Sequence, residues 1–82
     1  MTDLEQTLYD LAAPLVEDKD SLAVKTMSSL DSREIVLYVY ASKEDISRLI
    51  GRQGGMANSL RQMMNVASRI KNKRLSIKFE SY

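Results

Sequence analysis

The chain has 82 residues and a formal net charge of +1, which is the size of one small domain with a limited core. It contains neither cysteine nor histidine, so disulfides, most soft-metal sites and the usual general bases are excluded, and a binding function is expected rather than an enzymatic one. The acidic start makes export unlikely and the lack of a long apolar run predicts no membrane span, so a cytoplasmic protein is expected. Without histidine or cysteine we expect no metal or cofactor, and with so small a core we expect no small-molecule substrate.

The charge is divided unevenly along the chain. Residues 1–42 carry three basic and eight acidic side chains, a balance of −5, whereas residues 43–82 carry nine basic and three acidic ones, a balance of +6. Such a division indicates that one side of the folded domain faces an anionic partner, although lysine and arginine also solubilise ordinary helix surfaces.

A first helix is predicted from about Thr2, because Thr2 and Glu5 have the spacing of a capping box. Apolar side chains then recur on one helical face, at Leu4, Leu8, Leu11, Ala12 and Leu15. Pro14 has no backbone N–H and crowds the preceding turn, so the helix is expected to kink or end there.

Two strands follow the helix. The first has a half-buried pattern, in which one face carries Leu22, Val24 and Thr26 and the other Ala23, Lys25 and Met27. In the second, residues 35–40 are β-branched or aromatic apart from one leucine. A polar turn over 28–33 joins the two strands. In the second strand Val36, Tyr38 and Tyr40 share the face that should point away from the helices. This face is a candidate dimer or partner surface, or simply a solvated strand face.

The second half of the chain predicts two helices around a glycine corner. Ser42 caps a short helix from Lys43 to about Ile50, with Asp45 three residues after the cap. The next helix runs from about Gly55 to Ile70 or Lys71. Its inner face is predicted to consist of Met56, Ala57, Leu60, Met63, Met64, Ala67 and Ile70. A basic loop over 71–74 and a last strand with Leu75, Ile77 and Phe79 inward complete the chain.

The order helix, strand, strand, helix, helix, strand predicts an α+β fold. A short turn makes the first two strands antiparallel, whereas a helical crossover makes the second and third parallel. We therefore expect a single domain over residues 1–82, with a mixed three-stranded sheet and three helices packed on one face.

The corner between the two helices is the candidate site. All three glycines of the chain, Gly51, Gly54 and Gly55, lie there, and glycine suits a backbone that another molecule must approach closely. Arg52 adds a positive charge, Gln53 adds an amide, and the N-terminus of the next helix attracts anions. A floor of apolar side chains that could accept unstacked bases is predicted from Ile46, Leu49 and Ile50.

The motif Ile50-Gly51-Arg52-Gln53-Gly54, placed between two amphipathic helices, resembles the signature loop of KH domains. The order of elements is similar to the type II, or bacterial, KH arrangement. The whole chain resembles the small bacterial KhpA family of single-KH RNA-binding proteins. That resemblance implies binding of about four nucleotides of single-stranded RNA.

The resemblance also implies the residues and partners of the site. The expected RNA-binding residues are Arg48, Ile50, Gly51, Arg52, Gln53, Gly54, Lys73 and Arg74, with Lys43 and Arg61 as weaker candidates. A role in RNA regulation or chaperoning is implied, with a homodimer or a second KH-containing protein of the KhpB type as partner. The family is tied to cell-wall homeostasis and cell length.

Two other functions fit the same pattern. Two helices joined at a glycine turn also occur in helix-turn-helix DNA-binding domains. A protein-interaction or dimerisation module could likewise keep the fold and use its sheet or a helix surface. Competition between single-stranded RNA and duplex DNA would distinguish an RNA-binding domain from a helix-turn-helix domain. Acidic replacement of Arg52 and Gln53 would distinguish RNA binding at the loop from a protein-interaction function.

Overall fold

The computed structural model describes residues 3–27, 33–70 and 74–82, and for residues 67–70 it describes only the backbone. The Thr2 cap, most of the turn over 28–33 and residues 71–73 therefore lie outside the described residues. Helix α1 spans Asp3–Ala12 and passes into a 3-10 turn, Ala13–Leu15, that contains Pro14. The predicted ending at the proline is confirmed, since proline cannot supply the next helical hydrogen bond.

The sheet has the predicted mixed topology. Strands β1 (Ala23–Met27), β2 (Glu34–Ala41) and β3 (Arg74–Ser81) lie in that order, with β2 in the centre. Strand β1 pairs antiparallel with β2, with Val24 opposite Val39, and β2 pairs parallel with β3, with Leu37 opposite Ile77. These four residues are buried and point to one face, because side chains alternate between the faces of a strand.

The helices cover that face. Helix α2 spans Lys43–Ile50 and α3 spans Gly55–Ile70, and both contact β3, while α1 contacts β1 and α3. The hydrophobic core between helices and sheet includes Leu4, Leu8, Ala12, Val16, Leu22, Val24, Leu37, Val39, Ala41, Ile46, Leu49, Leu60, Met64 and Ile77. This α+β architecture, with helices on one side of the sheet, confirms the fold predicted from the sequence.

The inner face of α3 is narrower than predicted. Ala57, Leu60 and Met64 are buried, but the side chain of Met63 is 46% exposed and that prediction was wrong. Met63 precedes Met64 by one residue and is rotated from it by about 100° around the helix axis, which places it beside the core rather than in it. Met56, at the start of the helix, is half-buried against the core.

Candidate functional site

The site begins with helix α2, whose start is fixed by its cap. The Ser42 hydroxyl accepts a hydrogen bond from the backbone N–H of Asp45, at 3.3 Å, which satisfies one of the free N–H groups of the first turn. This confirms Ser42 as the N-cap. Glu44 and Asp45 in the first turn suit the positive end of the helix dipole.

The carboxylate of Asp45 ties α2 to the segment that follows α1. It is 1% exposed, and its two oxygens accept hydrogen bonds from the backbone N–H groups of Glu17 and Asp18, each at 3.0 Å. In a capping box this side chain would turn back to the cap residue. Here it instead bridges two segments that are 27 and 28 residues apart in sequence, a role that no sequence pattern indicated.

These contacts stabilise the ionised form of Asp45. The backbone N–H groups of Glu17 and Asp18 lower its pKa from 3.8 to about 2, with smaller contributions from Arg48 and Ser42, while burial acts in the opposite direction. The folded state therefore binds a proton at Asp45 more weakly than the unfolded chain does. The stabilisation is complete above about pH 4 and is lost as the pH falls towards 2.

Arg48 completes this cluster. Its guanidinium contacts the Asp45 carboxylate at 2.6 Å and the Glu17 carboxylate at 3.2 Å, while the side chain stays 44% exposed. Arg48 is three residues before the glycine corner and was expected to contact RNA, but in the structure its guanidinium is paired with two carboxylates. The structure thus gives Arg48 a role in holding α2 to Glu17.

Helix α2 ends at Gly51 for two physical reasons. The φ and ψ angles of Gly51 are 75° and 178°, a backbone region that essentially only glycine occupies. In addition, a Cβ atom at Gly51 would lie 2.7 Å from the Cβ of Met56 and 2.9 Å from its backbone nitrogen. The N–H of Gly51 donates to the carbonyl of Ser47 at 2.9 Å, so the last turn of α2 is closed before the chain leaves it.

Residues 52–54 form one tight, exposed turn. The N–H of Gly54 donates to the carbonyl of Gly51 at 3.2 Å, and both Arg52 and Gln53 are exposed. Gln53 has φ 55° and ψ 27°, the left-handed region, which disfavours residues with a Cβ. Gly54 also has a positive φ, 77°, but no neighbour within 4 Å of a Cβ placed there. The loop therefore presents its polar side chains and its backbone to solvent.

Gly55 begins helix α3 with ordinary helical angles, φ −61° and ψ −43°. A Cβ at this position would meet nothing within 4 Å, so the fold itself does not require glycine there. The first N–H groups of a helix have no partner within it and carry the positive end of its dipole. In this chain that helix end directly follows the exposed turn of Arg52 and Gln53.

The predicted apolar floor is smaller than expected. Ile46 and Leu49 are 9% and 0% exposed and belong to the hydrophobic core, so they offer no surface to a ligand. These two residues are buried because the face of α2 that carries them packs against β3 and α3. Ile50 is 37% exposed and is the member of the three that borders the loop at the surface.

Arg74 lies beyond the end of α3 that is opposite the loop. Arg74 is the first residue of β3, opposite Glu34 of β2, and its N–H donates to the carbonyl of Arg33 at 2.8 Å. Helix α3 has 16 residues, so its two ends are about 22 Å apart. Lys73 lies outside the described residues. The structure therefore brings together residues 50–54 and places Arg74 near the opposite end of α3.

Arg61, a weaker candidate, lies over β3. Its guanidinium is 5.9 Å from the centre of the Phe79 ring, and it donates to the side-chain oxygen of Asn58 at 3.3 Å. In the described parts of the chain, no three acidic side chains are grouped so that they could hold a metal ion. Over the same residues, no helix is both long and apolar enough to cross a membrane.

Comparison with known proteins agrees with this geometry. A family model described as KhpA/KhpB, KH domain, matches residues 5–79. A protein of Clostridium acetobutylicum named RNA-binding protein KhpA is 30% identical over 74 residues, which is 90% of this chain and 96% of that protein.

A solved structure shares the fold over most of the chain. The crystal structure of an Aquifex aeolicus Era variant bound to GDP.AlF4⁻ superposes with a TM-score of 0.60 and 14% sequence identity, covering 95% of this chain. The chain spans 29% of the Era chain, so this likeness concerns the fold of one part of that protein. With its helices, its mixed sheet and the family model matched over residues 5–79, the chain belongs to the KhpA/KhpB family of KH domains, in the type II arrangement.

Proposed function

We propose that this chain is a single-stranded RNA-binding module of the cytoplasm, not an enzyme, and that the loop 50–54 is its RNA-binding site. The observation that carries the proposal is the exposed turn Arg52–Gly54, bounded by positive-φ glycines and followed at once by the start of α3. The name of the Clostridium relative, an RNA-binding protein, supports the same ligand. Family membership supports the fold on which such a site is built.

Each part of the loop has a stated role in this proposal. Gly54 leaves space where the sugar-phosphate backbone can approach, and Arg52 supplies a charge for a phosphate. Gln53 offers an amide that can both donate and accept. Ile50, exposed at the edge of the loop, offers apolar contact to a base, while Gly51 holds the turn in shape. About four nucleotides fit such a KH loop.

The other basic candidates have a smaller part in the proposal. Arg48 already pairs with Asp45 and Glu17, so a phosphate would have to compete with two carboxylates for it. Arg74 follows the far end of α3 and would meet only an RNA strand that extends along the helix. We therefore assign Arg48 and Arg74 as secondary contacts, and Lys73, outside the described residues, stays a candidate from the sequence.

The test is replacement of both loop side chains by acids, Arg52→Asp with Gln53→Asp. Aspartate tolerates the left-handed backbone of residue 53 better than glutamine, so the variant should fold. We expect its affinity for a single-stranded RNA probe to fall about tenfold or more, because two carboxylates would face the phosphates. Fluorescence anisotropy with a labelled oligonucleotide measures the change.

A matched control separates the site from general charge. Lys19→Asp with Gln6→Asp changes the net charge by the same amount at two exposed positions that are not part of the loop. This control should bind RNA within about twofold of the original protein at moderate ionic strength, since salt screens exposed charges that do not contact the RNA directly. Equal affinity of the folded loop variant and the original protein would contradict the site assignment.

Salt dependence gives an independent measurement. Contact with about four phosphates of a single strand predicts a slope of roughly −3 in a plot of log affinity against log salt concentration. The same titration with duplex DNA addresses the helix-turn-helix alternative. Preference for the duplex would replace the RNA proposal.

The protein-interaction alternative has its own supporting observation. Met63 and Val66, three residues apart on α3, are 46% and 62% exposed, and large apolar side chains grouped at the surface favour contact with another protein. We propose that this flank of α3 joins two copies of the chain or joins it to a second KH protein of the KhpB type. Two linked loops would raise the affinity for RNA beyond that of one loop.

Replacing Met63 and Val66 by serine tests the dimer. The expected result is a monomer in sedimentation at concentrations where the original chain is dimeric, with RNA affinity lowered through the lost second site. A single sedimenting species common to both proteins would contradict this surface. The roles in RNA chaperoning, cell-wall homeostasis and cell length are proposed from family resemblance alone, and comparison of cells with and without the loop variant tests them.

A further inference from the structure

The face of the sheet that points away from the helices carries aromatic and basic side chains together. In the described residues it consists of every second residue of each strand: Ala23, Lys25 and Met27, then Glu34, Val36, Tyr38 and Tyr40, then Arg74, Ser76, Lys78 and Glu80. None of them is fully buried, whereas the opposite face forms the core. The α-helices pack on the opposite face. We call these residues the open face.

Three tyrosines form a row at one end of the open face. The rings of Tyr38 and Tyr40 are nearly parallel, with 18° between their planes and 6.0 Å between their centres. Tyr82, which follows β3, continues the row with its ring centre 6.1 Å from that of Tyr40, and it is 74% exposed. Because successive side chains on one strand face are held by the pleat, Tyr38 and Tyr40 are fixed in their spacing.

Lysines flank this row on both sides. Lys25 of β1 and Lys78 of β3 are both in register with Tyr38, one on each neighbouring strand, and both are exposed. The ammonium group of Lys25 also lies 6.0 Å from the centre of the Tyr40 ring. With Arg74 the face carries three basic groups against two acidic ones, Glu34 and Glu80, and the lysines are the charges nearest Tyr38.

We propose that the open face is a second RNA-binding surface, on which the tyrosines stack unpaired bases and the lysines bind the adjoining phosphates. Aromatic rings on a sheet, bordered by cations, bind single strands because every base has a flat π face and every nucleotide carries a negative charge. The inference rests on the proposed function, since its ligand is the same single-stranded RNA. It adds a contact on the side of the domain opposite the helices.

Charge favours RNA over a second copy of the chain as the occupant. A stable interface between proteins buries about 800 Å² on each partner and depletes lysine and glutamate from its centre. The open face has Lys25 and Lys78 on either side of Tyr38, so a second copy seated on this residue would cover two lysines, which such interfaces disfavour. An RNA strand would neutralise both lysines and cover the rings.

Two variants test the proposal. Tyr38→Thr with Tyr40→Thr removes both rings but keeps residues that favour strands, whereas Tyr38→Phe with Tyr40→Phe keeps the rings and removes only the hydroxyls. Each is titrated with a probe of about four nucleotides, which one KH loop can fill, and with a probe of about twelve. The threonine variant should bind the longer probe about fivefold or more weakly and the short one unchanged. The phenylalanine variant should bind both within about twofold of the original protein.

Intrinsic fluorescence reports stacking directly. The chain has four tyrosines and no tryptophan, so quenching of tyrosine emission by the longer probe signals bases on the open face. If the threonine variant does not fold, Lys25→Gln with Lys78→Gln replaces it. That variant should reduce the magnitude of the salt slope for the longer probe by about 1.4, for two lost phosphate contacts.

The outcomes distinguish this inference from the proposed function. If the original protein binds neither probe, the RNA-binding proposal itself fails. If it binds both, and the threonine variant binds the longer probe equally well with unchanged quenching, only the second surface is overturned. Loss of self-association in the threonine variant, with RNA affinity unchanged, would also overturn it and would identify the open face as an interface between copies.

Discussion

At its first turn, α2 is joined to the rest of the chain by a buried carboxylate, whereas at its last turn it runs into an exposed loop. Asp45 accepts hydrogen bonds from two distant backbone N–H groups and from Arg48, and almost none of it meets solvent. Arg52 and Gln53, at the other end, are exposed, and that end packs through Gly51 against Met56. The same short helix thus combines a buried polar attachment at one end with an unusual, exposed backbone at the other.

The largest loss of stability is expected at Gly51, where α2 meets the loop. Gly51→Ala should lower the free energy of unfolding by about 3 kcal/mol, because the Cβ would occupy a glycine-only backbone region and would also overlap with Met56. Urea denaturation monitored by circular dichroism measures the loss. Gly54→Ala is the control, with a positive φ but no close neighbour, and should cost only about 1 kcal/mol. Equal losses at the two positions would show that packing against Met56 is unimportant.

Asp45→Asn should weaken the attachment of the first turn of α2. The loss in free energy of unfolding should be smaller than for Gly51→Ala, because the amide oxygen can still accept a hydrogen bond from one backbone N–H. The melting temperature should fall at neutral pH. The pKa of Asp45 is lowered from 3.8 to about 2, chiefly by the N–H groups of Glu17 and Asp18, so this stabilisation exists only while the group is ionised. The difference between the two proteins should thus be constant above about pH 4 and shrink as the pH approaches 2. A difference that is the same at pH 2.5 and pH 7 would contradict the assigned role.

The exposed loop contains backbone strain that can be relieved. Gln53→Gly should raise the free energy of unfolding by about 1 kcal/mol, because glycine adopts the left-handed conformation without steric cost. Gln53→Ala is the matched control, since it removes the same amide but keeps a Cβ and should give no gain. If both variants have the stability of the original chain, residue 53 is not strained. The effect of each on RNA affinity then reports the amide alone.

The smallest effect is expected at Gly55. Its helical angles and the empty space around it predict that Gly55→Ala will stabilise the fold by about 0.5–1 kcal/mol. The fold does not require glycine there, and under the proposed function a residue without a Cβ at the start of α3 lets the RNA backbone approach closely. We therefore expect stability to rise and affinity for the four-nucleotide probe to fall in the same variant. An unchanged affinity would show that the RNA does not contact the backbone of Gly55.

Much of the fold could be predicted because it depends on local patterns. The ending of α1 at Pro14, the Ser42 cap, the strand over 35–40 and the glycine corner all follow from neighbouring residues in the sequence. The antiparallel and parallel pairings followed from the lengths of the connections. The position of the candidate loop could therefore be predicted from the sequence together with the family resemblance.

The sequence by itself determined the order of the elements and which residues form the loop, since a cap, a proline or a glycine acts on its own stretch of chain. Only the tertiary structure decided how distant residues meet. Asp45 and Arg48 contact residues near position 17, Leu49 is taken by the core, and Met63 is turned to solvent. These outcomes depend on how α2 and α3 are rotated against the sheet, and that rotation is set by the packing of the whole core rather than by any local pattern.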